Sequence, residues 1–204
     1  MRVENIDMNV TLDVNTFSNY VLHIHKDELL EKVESEGKVL QKNKGDILIR
    51  PEDTSDFIVF LVSGTARGFF IDEEGKEFTF RFSFKSGDLL TDGSISLADH
   101  SYYWEALEKS EFLYIPKSLV REILVSDKDF QKYLANLYMD YYSKETALRY
   151  ALMTMQSRER YLWFRNAFPD FPNKIPQKYI ATYLNMLPQT LSQVRHDLKM
   201  ESLI

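Results

Sequence analysis

The feature that most constrains the fold of this 204-residue chain is a run of thirty residues, 127–156, without glycine or proline. Because both residue types disfavour helix interiors, this run favours one long helix. Apolar residues recur along it at alternating spacings of four and three, as in a coiled-coil seam. The seam consists of Phe130, Leu134, Leu137, Tyr141, Lys144, Leu148, Ala151 and Met155, and Lys144 is its imperfection.

The seam has two explanations. A heptad pattern is typical of a helix that pairs with a second copy of itself, but a helix lying on its own β-domain also needs an apolar face. A second apolar set widens that face: Tyr133, Tyr138, Tyr142 and Leu152. We predict that the helix contacts both. The residues expected at the homodimer interface are Phe130, Leu134, Leu137, Tyr141, Leu148 and Met155.

Upstream of the long helix, the pattern over 39–115 is that of strands. Short apolar runs bounded by glycine or proline recur at intervals of about 8–12 residues, which favours a β-barrel or roll. In residues 78–84 phenylalanine occupies every second position, the period of a strand with one buried face. Residues 72–76 predict a hairpin turn, and the helical spacing over 15–36 predicts a helix ahead of the strands.

The chain contains no cysteine, which excludes disulfide bonds, thiol catalysis and cysteine-ligated zinc or iron–sulfur clusters. Its longest apolar runs, such as residues 57–62, are too short to span a bilayer, and no signal peptide is visible. We therefore expect a cytoplasmic protein without membrane contact.

The C-terminal segment differs from the rest in charge and pattern. Residues 1–157 carry 18 Lys and Arg against 27 Asp and Glu, a net charge of −9, whereas residues 158–204 carry 7 against 4, a net of +3. A basic module on an acidic body suggests contact with a polyanion, although a tail of this length can differ by chance. After a proline-punctuated linker, 168–175, two short helices over 177–184 and 188–199 have the size of a helix-turn-helix.

The second of these helices has one apolar and one polar face. Leu191, Val194 and Leu198 define the buried face, and the opposite face carries uncharged hydrogen-bonding groups suited to base edges. Those groups are Gln189, Ser192, Gln193 and His196. The residues placed to touch phosphates are Lys178, Thr190, Arg195 and Lys199. A polar face can equally be a solvated surface.

The residues 177–184 and 188–195 resemble the helix-turn-helix of the Crp/Fnr family of bacterial transcription regulators, in the form common in Bacteroidetes-type bacteria. Residues 158–161 and 168–170, leading into 175–177, match the segment before that motif, and residues 44–49, 60–64 and 105–108 resemble the family's barrel. The resemblance implies an α+β fold. Its parts would be a cyclic-nucleotide-binding-like β-roll or double-stranded β-helix (1–126), a dimerisation helix (127–157) and a winged helix-turn-helix (158–204).

The chain departs from this family at the effector site. The Gly-Glu pair that binds ribose falls at Thr91-Asp92, and the Arg-Ser pair that binds the cyclic phosphate falls at His100-Ser101. A mostly neutral histidine does not replace a bidentate arginine, so we predict no response to cyclic nucleotides. The candidate effector-pocket residues are Asp92, His100, Ser101, Tyr102 and Tyr103, although the aromatic residues after Ser101 fit the barrel core better.

It also departs at the recognition helix. Gln189 and Gln193 stand where the family has Glu and Arg, and Pro188 replaces a preceding Arg, which suggests A·T-rich contacts instead of the usual half-site. The chain ends so soon after this helix that any wing must be short or come from before the motif.

The function predicted from these residues is a homodimeric transcription regulator on a palindromic DNA operator. A small-molecule effector and RNA polymerase are candidate further partners. We predict no enzyme, cofactor or metal, and interpret the pair His23 and His25, which resembles cupin metal ligands, as surface residues of the N-terminal helix. The alternatives are a cyclic-nucleotide-responsive regulator with a degenerate phosphate cassette, or a cupin-like metal enzyme or ligand-binding barrel.

Overall fold

A computed structural model describes residues 13–51, 56–90 and 102–201. The strands are β1 (Lys38–Lys42), β2 (Ile47–Ile49), β3 (Phe57–Ser63), β4 (Ala66–Ile71), β5 (Glu77–Ser83), β6 (Tyr103–Ala106) and β7 (Ser110–Pro116). The helices are α1 (Val14–Tyr20), α2 (Asp27–Glu36), α3 (Lys117–Ser126), α4 (Lys128–Thr154), α5 (Ser157–Ala167), α6 (Phe171–Lys174), α7 (Gln177–Tyr183) and α8 (Pro188–Glu201). Within these ranges no helix combines the length and the apolar composition needed to cross a bilayer.

The strands form two antiparallel sheets, ordered β1-β7-β3 and β2-β6-β4-β5, which confirms the predicted roll. Strand β3 is apolar at consecutive positions because both of its faces are covered. Val59 and Leu61 lie in the core of the roll with Trp104. Ile58 and Phe60 lie in a second core beneath the helices α1–α4. The β-domain is therefore buried on its outer side by its own helices.

The single helix predicted over 15–36 is wrong, because the chain breaks between α1 and α2. Leu22 and Ile24 in this break are fully buried, and His23 between them has a positive φ of 58°. Anchoring alternate residues in the core is incompatible with a continuous helix. His23 and His25 are exposed, as predicted, but in a loop, and among the described residues no group of three or more His, Asp or Glu could hold a metal ion.

Strand β5 does not have the single alternation predicted for it. Gly68 of β4 pairs with Arg81 and Phe69 pairs with Thr79, so Phe80 is the extra residue of a β-bulge. A Cβ on Gly68 would lie 2.5 Å from Cζ of Phe80, so only glycine leaves room for that ring. The bulge reverses the alternation, so that Phe80 and Arg81 both face the roll.

The long helix is confirmed as α4, but its predicted seam faces inward. Phe130, Leu134 and Tyr141 are buried in the core shared with α1–α3, and Leu137 is half-buried against it. Leu148 is half-buried against the C-terminal helices, and Met155 lies just after the helix end. The apolar residues that α4 exposes are Met139, Tyr142, Tyr150 and Met153, on its opposite side. Assigning the seam to a dimer interface is therefore wrong for its buried residues, because the chain's own core covers them.

The C-terminal helices are close to those predicted. Helices α7 and α8 and the turn between them confirm the helix-turn-helix expected from spacing. The predicted linker instead contains α6 and is tied down by Phe168, Phe171 and Ile175, all buried. Residues 157–201 contain no strand, so the wing implied by the resemblance is not found among the described residues.

Candidate DNA interface and barrel pocket

Helix α8 presents the polar face that its sequence predicts. Leu191 is fully buried and holds the helix on the C-terminal core, with Val194 and Leu198 half-buried beside it. The side chains opposite them are exposed: Gln189, Ser192, Gln193 and His196. Their exposure agrees with the predicted reading face, while their contact with bases stays a prediction.

The turn before α8 is held by several backbone bonds and one arginine. Asn185 adopts a positive φ of 49°, and the amide of Met186 donates to the Ala181 carbonyl at 2.8 Å. The Arg160 guanidinium donates to the carbonyls of Leu184 (2.8 Å) and Asn185 (3.3 Å), while its Nε donates to Met155 O just after α4 (3.1 Å). One side chain thus ties the turn to the end of the long helix.

The predicted phosphate contacts are not all equally placed for that role. Lys178 and Lys199 are exposed and Thr190 is half-buried. The guanidinium of Arg195 donates to the Pro172 carbonyl at 3.1 Å, so this residue joins α8 to α6. Because Arg195 is half-buried and bonded within the protein, it is less exposed than the two lysines, and its contact with a phosphate stays a prediction.

Sequence reasoning missed an acidic neighbour of the reading face. Asp197 lies one helical turn after Gln193, and the Gln193 amide donates to its Oδ1 at 2.8 Å. The amide must exchange this partner to contact a base, and the carboxylate disfavours a nearby phosphate. The spacing of four was visible in the sequence and is the signal that could have revealed the pair.

Of the predicted effector-pocket residues, Tyr102 and Tyr103 lie in the part of the chain that the structure describes. Asp92, His100 and Ser101 lie outside the described residues. Tyr102 is buried and meets the Phe80 ring edge-on at 5.4 Å, and Tyr103 stacks on Phe69 at 5.1 Å. Both tyrosines pack as part of the sheet and neither lines the cavity described next, so their assignment to an effector pocket stays a prediction.

A small cavity of about 30 Å³ lies where β5, α4 and the C-terminal helices meet. Its lining includes Arg81, Asp88, Tyr141, Glu145 and Tyr183. A space of this size holds one or two water molecules, far less than a nucleotide needs. Side chains therefore fill this junction.

Arg81 is the main occupant of the junction. Its Nη2 donates to the Leu89 carbonyl at 3.0 Å, and its guanidinium lies 4.9 Å from the ring centre of Trp104 and 4.5 Å from that of Tyr141. One cation thereby joins β5, β6 and the long helix. The alternation predicted for residues 78–84 would place Arg81 on the face opposite the phenylalanines, and the bulge at Phe80 turns it inward.

The Tyr141 hydroxyl makes the second link between α4 and the β-domain. It accepts the Leu89 amide at 2.8 Å and donates to Asp88 Oδ1 at 3.4 Å. Burial, helped by the Asp88 carboxylate, raises the pKa of this hydroxyl far above its usual value, so it stays protonated. Tyr133, which lies about two turns before Tyr141 on α4, donates to the Gly87 carbonyl at 2.6 Å.

Comparison with known proteins agrees with this architecture. Residues 39–127 match the family described as the cyclic nucleotide-binding domain. No curated protein matches the chain in sequence. Among solved structures, FixK2 from Bradyrhizobium japonicum is similar with 15% identity and a TM-score of 0.71, over 81% of this chain and 86% of FixK2.

Two further structures are similar over most of their length. The c-di-GMP-responsive global regulator CLP of Xanthomonas campestris has 11% identity and a TM-score of 0.70, over 87% of this chain and 94% of its own. A Crp/Fnr-family transcriptional regulator from Thermus thermophilus has 17% identity and a TM-score of 0.67, over 80% and 87%. Such identities establish the fold alone: the chain has the fold of the Crp/Fnr regulators, and its residues 39–127 match the cyclic nucleotide-binding domain family.

Proposed function

We propose that the chain is a DNA-binding transcription regulator that acts as a homodimer in the cytoplasm, and that it belongs with the Bacteroidetes-type members of the Crp/Fnr regulators. The observation that carries the proposal is the helix-turn-helix with an exposed polar face on α8, in a chain with this fold. A dimer with two-fold symmetry would read a palindrome whose half-sites lie about one helical turn apart.

The first test is selection of binding sites from random duplex DNA by the purified full-length chain without added ligand. An enriched palindrome supports the proposal and supplies the operator. A folded, dimeric protein that enriches no sequence, with or without cyclic nucleotides, contradicts it.

A substitution on the reading face tests which residues specify the sequence. Gln189→Ala should weaken binding at the selected site by about 1–3 kcal/mol and relax the base preference at one position, because the amide can pair bidentately with adenine. Asn166→Ala, an exposed amide on α5, is the matched control and should leave binding unchanged. Equal binding by the Gln189 variant and the wild-type chain would show that the reading face lies elsewhere.

The outer face of α4 is the proposed dimer interface. Met139, Tyr142 and Met153 are 68%, 69% and 79% exposed and lie on one side of the helix, with Tyr150 beside them. They extend over about four turns and face away from the β-domain, so a second copy of the same helix can cover them symmetrically. The residues proposed here for pairing are therefore not the heptad residues that the sequence predicted for the dimer interface.

A charge placed in that stripe tests the interface. Met139→Glu should convert the dimer into a monomer, which light scattering would detect as a mass of 24.1 kDa. At a symmetric interface the two introduced carboxylates would be buried close to each other without a cationic partner. Val125→Glu, at a residue 84% exposed on α3, should leave the dimer intact. A Met139→Glu protein that remains dimeric places the interface elsewhere.

We further propose that the regulator does not respond to cyclic nucleotides. Within the described residues, Arg81 and Tyr141 fill the junction between the roll and the long helix, and the cavity left at that junction is too small for a nucleotide. Calorimetric titration with cyclic AMP and cyclic GMP should show no heat of binding. Saturable binding of either would instead favour a cyclic-nucleotide-responsive regulator with a degenerate cassette.

A further inference from the structure

The C-terminal helices are attached to the rest of the chain by one covalent joint and by non-covalent contacts with α4 and the β-domain. The covalent joint is Met155 and Gln156, whose backbone is extended between α4 and α5. A joint of two extended residues would by itself let the helical unit swing. Among the non-covalent contacts, α7 lies against β5, and Tyr179 of α7 covers Arg67 of β4.

Arg67 is a fully buried cation whose environment is completed by α7. Its guanidinium lies between two aromatic rings, 4.0 Å from the ring centre of Phe69 and 3.6 Å from that of Tyr179. Its Nη2 forms an ion pair with Glu77, 2.6 Å from Oε2. Its Nε lies 2.9 Å from Oε1 of Glu105, which is an ion pair whose geometry is not that of a hydrogen bond. Three sides of the cation therefore belong to the sheet, and the fourth belongs to the DNA-binding unit.

The contacts around this pair also join the two units. The hydroxyls of Thr79 and Thr182 lie 2.7 Å apart, and the Phe82 ring lies 5.2 Å from that of Tyr183. Phe82 and Leu107 of the β-domain are members of the same hydrophobic core as the C-terminal helices. Since a cation–π contact is strongest where water is excluded, this apolar surround favours the docked position of α7.

Docking leaves the recognition helix open. Gln189, Ser192, Gln193 and His196 all remain exposed while α7 lies on the sheet. The contact therefore does not block the reading face, and what it determines is the orientation of α8 relative to the β-domain and α4.

We propose that the Arg67–Tyr179 pair is a latch that fixes the DNA-binding unit in one orientation, so that the separation of the two recognition helices in a dimer is set without an effector. Tyr179 is then a positioning residue for DNA recognition and need not contact DNA. The effect of the latch on operator spacing rests on the proposed function. The latch itself is a property of the folded chain and does not depend on that function.

The latch can be tested without DNA because the chain has no cysteine. Lys44→Cys, in the exposed turn after β1, and Met200→Cys, near the end of α8, accept one spin label each. Diluting labelled with unlabelled protein isolates the distance within one protomer. We expect a narrow distance distribution for the parent protein, a broad one for Tyr179→Leu and a narrow one for Tyr179→Phe, which keeps the ring.

Leucine and phenylalanine are both compatible with a helix, so α7 itself should persist in either variant, and thermal unfolding checks this. A Tyr179→Leu protein with the parent's narrow distribution overturns the latch. So does a parent protein whose distribution is already broad.

The consequence for DNA is measured on the selected palindrome with its half-site spacing changed one base pair at a time. Tyr179→Leu should lose about tenfold in affinity at the best spacing, accept other spacings, and bind a single half-site as the parent does. Tyr179→Phe should restore the parent's preference. If the parent binds no duplex while the label distances respond as expected, the regulator proposal fails and the latch stands; an unchanged spacing preference in Tyr179→Leu overturns the positioning role.

Discussion

The link between the long helix and the β-domain predicts an unequal effect of two similar substitutions. In Tyr141→Phe the ring stays against Arg81, but the Leu89 amide, which donates to the Tyr141 hydroxyl at 2.8 Å, is left without an acceptor. An orphaned buried N–H costs about 1–3 kcal/mol, because its desolvation is no longer compensated. We expect the free energy of unfolding to fall by that amount.

Tyr133→Phe is the matched control on the same helix. It removes a hydroxyl that donates to the Gly87 carbonyl at 2.6 Å, so the group left behind is a carbonyl oxygen and not an N–H. Since unpaired carbonyls are tolerated better, the loss should be only about 0.5–1.5 kcal/mol.

The assay is urea unfolding followed by circular dichroism, at one protomer concentration because the proposed dimerisation would contribute to stability. Tyr141→Phe should lower the urea midpoint more than Tyr133→Phe, with an unchanged slope. An equal loss of stability in both variants, or a larger loss in Tyr133→Phe, would refute the claim that the Leu89 amide depends on the Tyr141 hydroxyl as its acceptor.

Three further predictions concern capping, pH and the helix turn. Burial of Asp127 opposes ionisation, but the amides of Phe130, His25 and Asp129 donate to its carboxylate and hold its pKa below the usual value. Asp127→Ala should therefore lower the free energy of unfolding in urea by about 0.5–2 kcal/mol, and Asp127→Asn should lower it less. The contribution of that carboxylate is present above its unfolded pKa of about 3.9 and should be lost as the pH falls through the folded value. Burial raises the pKa of the Tyr114 hydroxyl to about 12 from 10.0, so the free energy of unfolding should decline as the pH rises from 10 towards 12, and less steeply in Tyr114→Phe. Arg160→Lys should lower the melting temperature, because one ammonium cannot reach both the Met155 carbonyl after α4 and the Leu184 carbonyl in the turn before α8; an unchanged melting temperature would show that these bonds contribute little.

Local features of the molecule were predictable from spacing. The long helix, the strands over 39–115 and the two short C-terminal helices were all predicted, because each depends on a period that a few neighbouring residues display. The exposed face of α8 followed from the same rule once Leu191 was assigned to the core. Asp197, by contrast, was overlooked although its position after Gln193 was visible.

Non-local features were not predictable. The seam of α4 could have met either a partner or the β-domain, and only the fold shows that Phe130 and Tyr141 lie in the chain's own core. The bulge at Phe80 gave no signal, since the surrounding residues alternate without interruption in the sequence. Arg67 had no distinguishing neighbour in the sequence, and its partner Tyr179 lies more than a hundred residues away.

The sequence by itself determined the long helix, the strands of the roll and the two short C-terminal helices, because hydrogen bonding and side-chain period act between near neighbours. It also determined that the C-terminal unit is basic and carries a polar helix face. It did not show the break between α1 and α2 or the presence of α6. Only the tertiary structure decided which face of each element is covered, that Arg81 enters the roll and that Arg67 meets α7. Those outcomes depend on surfaces brought together from distant segments, because a buried charge needs charged, polar or aromatic partners that only the folded chain supplies.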